Sequence, residues 1–279
     1  MAIPQSTRSK IKGYLEAFVD QMVARHKGVG DPDSGAPLPP AHDAPSADGS
    51  LKPFHSAIIP AELMRISAFE RSFSTRLGTT IEECARLIAL DHHPSADRGY
   101  RLRGPVSQAA LDEAARQRGL YEEAGAAQAP KPAFEDMVAA VLAARREDDL
   151  VARTVIADLR VVAHQGTEYF FEMTSPKPNK GQCLEKMERL LRFHLFRGDN
   201  RPSIYAYVTM AYNPYGARRS DYAHAYPRRY MPFDQVVLIA HEFWDIIGGP
   251  TTYSELLDVY QEVGRHKAKH MIDALAFGF

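Results

Sequence analysis

Two carboxylates and a basic turn stand close together between residues 158 and 182. Asp158 and Glu172 lie in two apolar runs, Val151 to Val162 and Tyr169 to Met173, separated by Gln165-Gly166. Strand-forming residues on both sides of a short polar loop predict a β-hairpin, with one acid on each strand. Two carboxylates on adjacent strands offer hard oxygen ligands to a divalent cation such as Mg²⁺. The turn Thr174-Ser-Pro-Lys-Pro-Asn-Lys-Gly-Gln182 follows at once and brings Lys177 and Lys180. An acidic metal site beside a turn that favours phosphate is suited to phosphodiester hydrolysis.

The surrounding charge fits a polyanionic substrate. Between Pro176 and Tyr230 there are eleven Lys/Arg against four acids, although the whole 279-residue chain carries a formal charge of −1. Such a basic stretch attracts polyanions, or it is a solvated helix face. The two cysteines, Cys84 and Cys183, have no metal-ligand spacing, which points to buried thiols in a reducing compartment. No window has the length of a membrane span and the first residues form no apolar signal run, so the expectation is a soluble cytoplasmic protein without a membrane partner.

The elements that must position these groups follow from periodicity. Helical spacing runs from Ser6 to His26, and Gly28 to Pro53 is a Gly/Pro-rich loop. Pro60 opens a second helix, and Thr80-Ile-Glu-Glu83 has the spacing of a capping box that starts a third. Ser107 to Arg118 and Phe134 to Arg146 are two more helices. Beyond Val151 come strand, turn, strand, a helix from Gly181 to Phe196, a strand from Ile204 to Met210, the loop 212–232, a strand from Gln235 to Ala240 and a helical end from Thr252. The order predicts an α/β fold: a mixed sheet flanked by helices, with a mostly helical N-terminal portion (1–130) before the catalytic portion (131–279).

These residues resemble the active-site hairpin of the PD-(D/E)xK nuclease superfamily. More narrowly, Tyr169-Phe-Phe-Glu-Met-Thr-Ser-Pro-Lys-Pro-Asn-Lys-Gly-Gln182, Ala211-Tyr-Asn-Pro-Tyr-Gly216 and Glu242-Phe-Trp-Asp-Ile-Ile-Gly-Gly-Pro-Thr-Thr-Tyr-Ser-Glu-Leu-Leu257 resemble the TdeIII family of type II restriction endonucleases. The likeness covers Asp158 to the C-terminus, is weaker around Phe69 to Arg86, and is absent from the 28–53 loop. It implies a restriction-endonuclease-like fold and a homodimer that cuts double-stranded DNA with Mg²⁺ at a short, near-palindromic site, with GGNCC-type sites as the analogy from the family.

The resemblance assigns Asp158 and Glu172 to the metal, and a helix ahead of the hairpin often adds an acid. Glu83 has the spacing of a cap partner for Thr80, which leaves Glu82 as that ligand. Residue 174 shares a strand face with Glu172 and is usually a lysine that orients the attacking water; here it is Thr174, which carries no charge. Lys177 or Lys180 reaches in from the turn, or a second metal serves, or the fold is a degenerate DNA-binding module. A structure-specific repair nuclease is a third reading. Gln182 and Lys186, on the helix after the hairpin, are candidates for phosphate contact. Asn213, Arg218, Arg219, Arg228 and Arg229 in the loop 212–232 are candidates for DNA recognition, because Arg pairs with guanine edges and Asn with adenine.

Overall fold

A computed structural model describes residues 2–26, 59, 61–198 and 203–277. The expected 28–53 loop lies outside the described residues. Contacts divide the chain into two compact units, Met1–Thr7 with Ile81–Leu256, and Arg8–Thr80 with Leu257–Phe279.

The first unit is built on a five-stranded mixed sheet whose strands lie in chain order. They are β1 (Ser95–Ser107), β2 (Leu150–Val162), β3 (Glu168–Thr174), β4 (Ile204–Met210) and β5 (Val237–Ile239). β1–β2 and β2–β3 are antiparallel pairs, whereas β3–β4 and β4–β5 are parallel. The β2–β3 connection is tight, and Gly166 takes φ +81° there. A parallel step needs a crossover, and helix α5 (Lys180–Arg197) makes it from β3 to β4.

α3 (Gln108–Ala127) and α4 (Phe134–Ala143) pack with α5 over this sheet, burying Ala114, Tyr121, Met137, Leu190 and Val208 in one core. Phe170 of β3 stacks on Phe193 of α5, with centroids 5.0 Å apart. The next residue, Phe171, points to the opposite face, as strand alternation requires, and meets Phe243 of α8 (His241–Gly248). Between β4 and β5 lie α6 (Ala225–Tyr230) and α7 (Phe233–Val236). Gly125 of α3 passes so close to α6 that a Cβ would stand 2.7 Å from the Arg229 carbonyl oxygen.

The second unit takes most of α1 (Gln5–His26), the first part of α2 (Ala61–His92) and most of α9 (Thr252–Ile272). Phe18 packs on Phe73 at 5.2 Å, and Lys12–Glu262 and Asp20–Lys267 ion pairs tie α1 to α9. No helix among the described residues is long and apolar enough to cross a membrane.

One expectation needs correction, and one strand has no counterpart in the sequence reading. Thr80 starts no helix: α2 runs through it unbroken, and its hydroxyl donates to the Leu77 carbonyl one turn back. The tertiary fold carries the helix past Gly78-Thr79-Thr80. β1 had no counterpart in the sequence reading, because Gly99, Gly104 and Pro105 suggest turns; Pro105 is tolerated because β1 is an edge strand. β1 and α3 precede residue 130 and fall in the same compact unit as β2, with which β1 pairs along its length.

Candidate active site

Glu172 on β3 is fully buried, and Asp158 on β2 keeps a little over a quarter of its side-chain surface. The β1–β2 ladder is regular to Arg98↔Leu159 and resumes at Tyr100↔Ala157. Gly99 stands at the gap with φ +57°, a left-handed conformation that suits glycine. Asp158 lies across from this irregularity, and its Oδ2 accepts a hydrogen bond of 2.7 Å from the Met173 amide. That bond fixes the first acid against the residue next to the second.

Glu172 shares the strand face of Phe170, which is packed on α5, so the second acid looks at the same helix. Two cations one helical turn apart meet it there. Lys186 Nζ is 3.2 Å from Glu172 Oε2 and 3.7 Å from Asp158 Oδ2. Arg189 Nη1 is 2.8 Å from the same Glu172 oxygen. Burial, and next the charge of Asp158, push the Glu172 carboxyl up to about 7, against the pull of Lys186 and Arg189.

Glu82 of α2 belongs to the same electrostatic group. Burial raises its pKa first and the charge of Asp158 second. Its carboxylate is 3.2 Å from Arg98, and Arg98 also pairs with Glu83 at 3.0 Å. Glu83 is held by Arg86 as well, at 3.0 and 2.6 Å, so it serves an arginine network and not a cap at Thr80.

The turn lysines go elsewhere. Lys180 pairs with Glu122 at 2.5 Å, and Lys177 lies 5.2 Å over the Tyr215 ring. Thr174 sits at the end of β3, paired in register with Met210 of β4. The helix that follows the hairpin therefore brings positive charge to the acids. Lys186 was named from sequence for phosphate contact; Arg189 and Arg98 were missed. The i, i+3 spacing of Lys186 and Arg189 was the available signal for one of them.

The donor set fits a hard divalent cation. Glu172 Oε1 is buried and has no hydrogen-bond partner, a costly state for a carboxylate oxygen unless a cation completes it. Among the described residues no group of three or more His, Cys, Asp or Glu is shaped to hold a metal. Two carboxylates suit Mg²⁺, which keeps several waters and takes substrate phosphate oxygens.

Of the recognition candidates in the loop 212–232, Arg218 reaches furthest outward, and Arg228 is exposed as well. Arg218 keeps 81% of its side-chain surface and makes a 3.3 Å pair with Asp221. Arg219 is turned inward, with bonds of 2.9 and 2.7 Å to the Val237 and Phe233 carbonyls and 2.6 Å to Glu242. Arg228 donates to the Tyr222 carbonyl, and Arg229 to Gly125 and Ala126 at the end of α3. Asn213 closes its own turn, donating to the Arg218 carbonyl at 2.8 Å and accepting from the Tyr215 amide at 3.0 Å. Gln182 forms a reciprocal capping box with Asn179, both bonds 2.9 Å, at the start of α5.

Comparison with known proteins gives the family. A family model described as "Type II restriction endonuclease, HinfI" matches residues 8–264. The chain is 41% identical to the type II restriction enzyme HgiEI of Herpetosiphon aurantiacus, over 99% of each chain. It is 42% identical to HgiCII of the same organism, over 99% of this chain and all of the relative. No solved structure matches it significantly. The TdeIII likeness is not what the family comparison returned, and the level that stands is the type II restriction enzyme. With a match across nearly its whole length, the chain belongs to the HinfI family of type II restriction endonucleases.

Proposed function

We propose that the chain is a Mg²⁺-dependent nuclease that cuts both strands of double-stranded DNA at a short, near-palindromic site of the GGNCC type. The observation that carries the reading is the meeting of Asp158, Glu172 and Lys186 at the β2–β3 hairpin and α5. Asp158 and Glu172 would hold the cation, with Glu82 the nearby acid able to support it. When bound, Mg²⁺ supplies Lewis acidity to the phosphate and makes a bound water more acidic. Lys186 stands in for the absent lysine at Thr174, orienting the attacking water and balancing negative charge as it develops. Arg189 keeps Glu172 Oε2 occupied, leaving Oε1 for the cation.

The degenerate reading drew on Thr174 alone, and Lys186 offers the charge that Thr174 lacks. A homodimer follows from symmetry: one such hairpin per chain cuts one strand, and a two-fold site asks for two. Arg218 is the base- or phosphate-contact candidate with the greatest reach. Digestion of unmethylated phage DNA, with and without Mg²⁺, tests the reading. Discrete Mg²⁺-dependent fragments whose ends share a GGNCC motif are expected. Intact DNA at protein concentrations that bind it would sink the catalytic claim, and a smear or branch-dependent cutting would favour a repair nuclease.

A further inference from the structure

The segment leaving β3, Ser175-Pro-Lys-Pro-Asn179, contains two prolines. Proline has no amide hydrogen, so the segment has few donors with which to fix its own shape. Its carbonyls are gripped from outside. The Tyr222 hydroxyl donates to the Pro176 oxygen at 2.8 Å, and His224 Nε2 is 2.9 Å from the Pro178 oxygen. Because a carbonyl only accepts, Nε2 carries the proton in that bond. Between these prolines, Lys177 lies over Tyr215. Three residues of the loop 212–232 thus hold three consecutive residues of the turn.

The holding loop is itself stiff. Tyr222 is almost wholly buried, its ring stacks on Phe233 at 5.5 Å, and its carbonyl accepts from Arg228 at 3.1 and 3.2 Å. Asp221, next to it, accepts from the Arg218 amide at 3.0 Å. Exposed Arg218 is therefore joined through Asp221 to Tyr222 and through Tyr222 to Pro176. The gripped turn begins just beyond Thr174 and ends at Asn179, the cap of the helix that carries Lys186.

We infer that Tyr222 and His224 are positioning residues that tie recognition of the DNA site to bond cleavage. This rests on the reading that the loop 212–232 meets DNA. Docking of Arg218 on the correct site sets Tyr222 and His224, and their grip sets the turn between Glu172 and Lys186. An incorrect site leaves the turn misplaced and the reaction slow.

The test uses the full chain and short duplexes carrying the mapped site or a single base-pair change within it. Tyr222→Phe keeps the ring on Phe233 and removes only the hydroxyl; His224→Gln retains a donor, and His224→Leu does not. Binding is followed with Ca²⁺ in place of Mg²⁺, and cleavage in single turnovers. For Tyr222→Phe and His224→Leu, binding within about twofold of the parent is expected, with cognate cleavage slowed about tenfold, the usual scale for one lost hydrogen bond. The altered site should slow much less, so that discrimination falls; His224→Gln should restore it. Equal slowing on both sites, or unchanged discrimination, would overturn the inference. Arg218→Ala is the control on the loop: if it leaves cognate binding unchanged, the recognition reading has failed, and the coupling fails with it.

Discussion

Lys186 of α5 and Glu172 of β3 meet at 3.2 Å, Nζ to Oε2. The position two residues beyond Glu172 would present a side chain on the same strand face, yet it holds an uncharged threonine. The cation comes from the packed helix instead. If it acts on the reacting oxygens, Lys186→Ala should lower single-turnover cleavage by about 10²–10³-fold, the usual scale for a lost stabiliser of developing charge. DNA binding in Ca²⁺ should change far less. Lys177→Ala and Lys180→Ala should cut within a few-fold of the parent, because their partners are Tyr215 and Glu122. Native-rate cleavage by Lys186→Ala would remove Lys186 from the chemistry.

Glu172 also sets a pH dependence. Its carboxyl is raised to about 7, by burial first and by the charge of Asp158 second. A cation takes the ionised form, so binding releases a proton wherever Glu172 is protonated. Below pH about 7 the apparent Mg²⁺ affinity should therefore rise by up to tenfold per pH unit from this group, and above it the contribution should flatten. Calorimetry at pH 6 and pH 8 in buffers of different ionisation enthalpy reads both the affinity and the proton count. Glu172→Gln should lose binding and proton release together. A pH-independent affinity in the parent would show that Glu172 does not hold the cation.

Legibility in the sequence followed the range of the interactions. The hairpin was plain because apolar runs and Gln165-Gly166 encode it locally, and the strand Ile204–Met210 was expected with its exact limits. Both hairpin acids could be named for the same reason. The cation on Glu172 was not assigned, since the facing of Lys186 and Arg189 toward β3 depends on how Phe193 packs on Phe170. Arg219, Arg228 and Arg229 look alike in sequence to Arg218. Backbone carbonyls that need donors engage all three, turning Arg219 and Arg229 partly inward while Arg228 stays exposed, and these carbonyls exist as a set only after folding.

That contrast between Arg218 and Arg219 is itself testable. Arg218 is mostly exposed, so Arg218→Ala should leave urea stability within about 0.5 kcal/mol. If it meets a phosphate, the slope of log affinity against log salt should fall by about 1; if it meets a base, one position of the site should lose about 1–3 kcal/mol of discrimination. Arg219→Ala removes the donor to the Phe233 and Val237 carbonyls and uncovers Glu242, so it should destabilise the fold by about 1–3 kcal/mol. The reverse pattern would place Arg219 on the DNA.

Gln182 separates a structural from a binding role most cleanly. Its backbone amide donates to Asn179 Oδ1 and its own side-chain oxygen accepts from the Asn179 amide, each at 2.9 Å. This box satisfies two donors that the start of α5 would otherwise leave open, and α5 is the helix that carries Lys186 and Arg189. Gln182→Ala breaks one of the two bonds, whereas Asn179→Ala removes the cap itself. Loss of about 1 kcal/mol is expected for the cap and less for Gln182→Ala, read from urea unfolding. If the side chain serves only the cap and its Nε2 hydrogens meet no phosphate, DNA affinity in Ca²⁺ should hold for both. Cleavage should fall no more than a frayed first turn explains, and Gln182→Glu, which keeps the acceptor, should recover stability. A variant of Gln182 that keeps its stability but loses DNA affinity would instead place this side chain on the phosphate backbone.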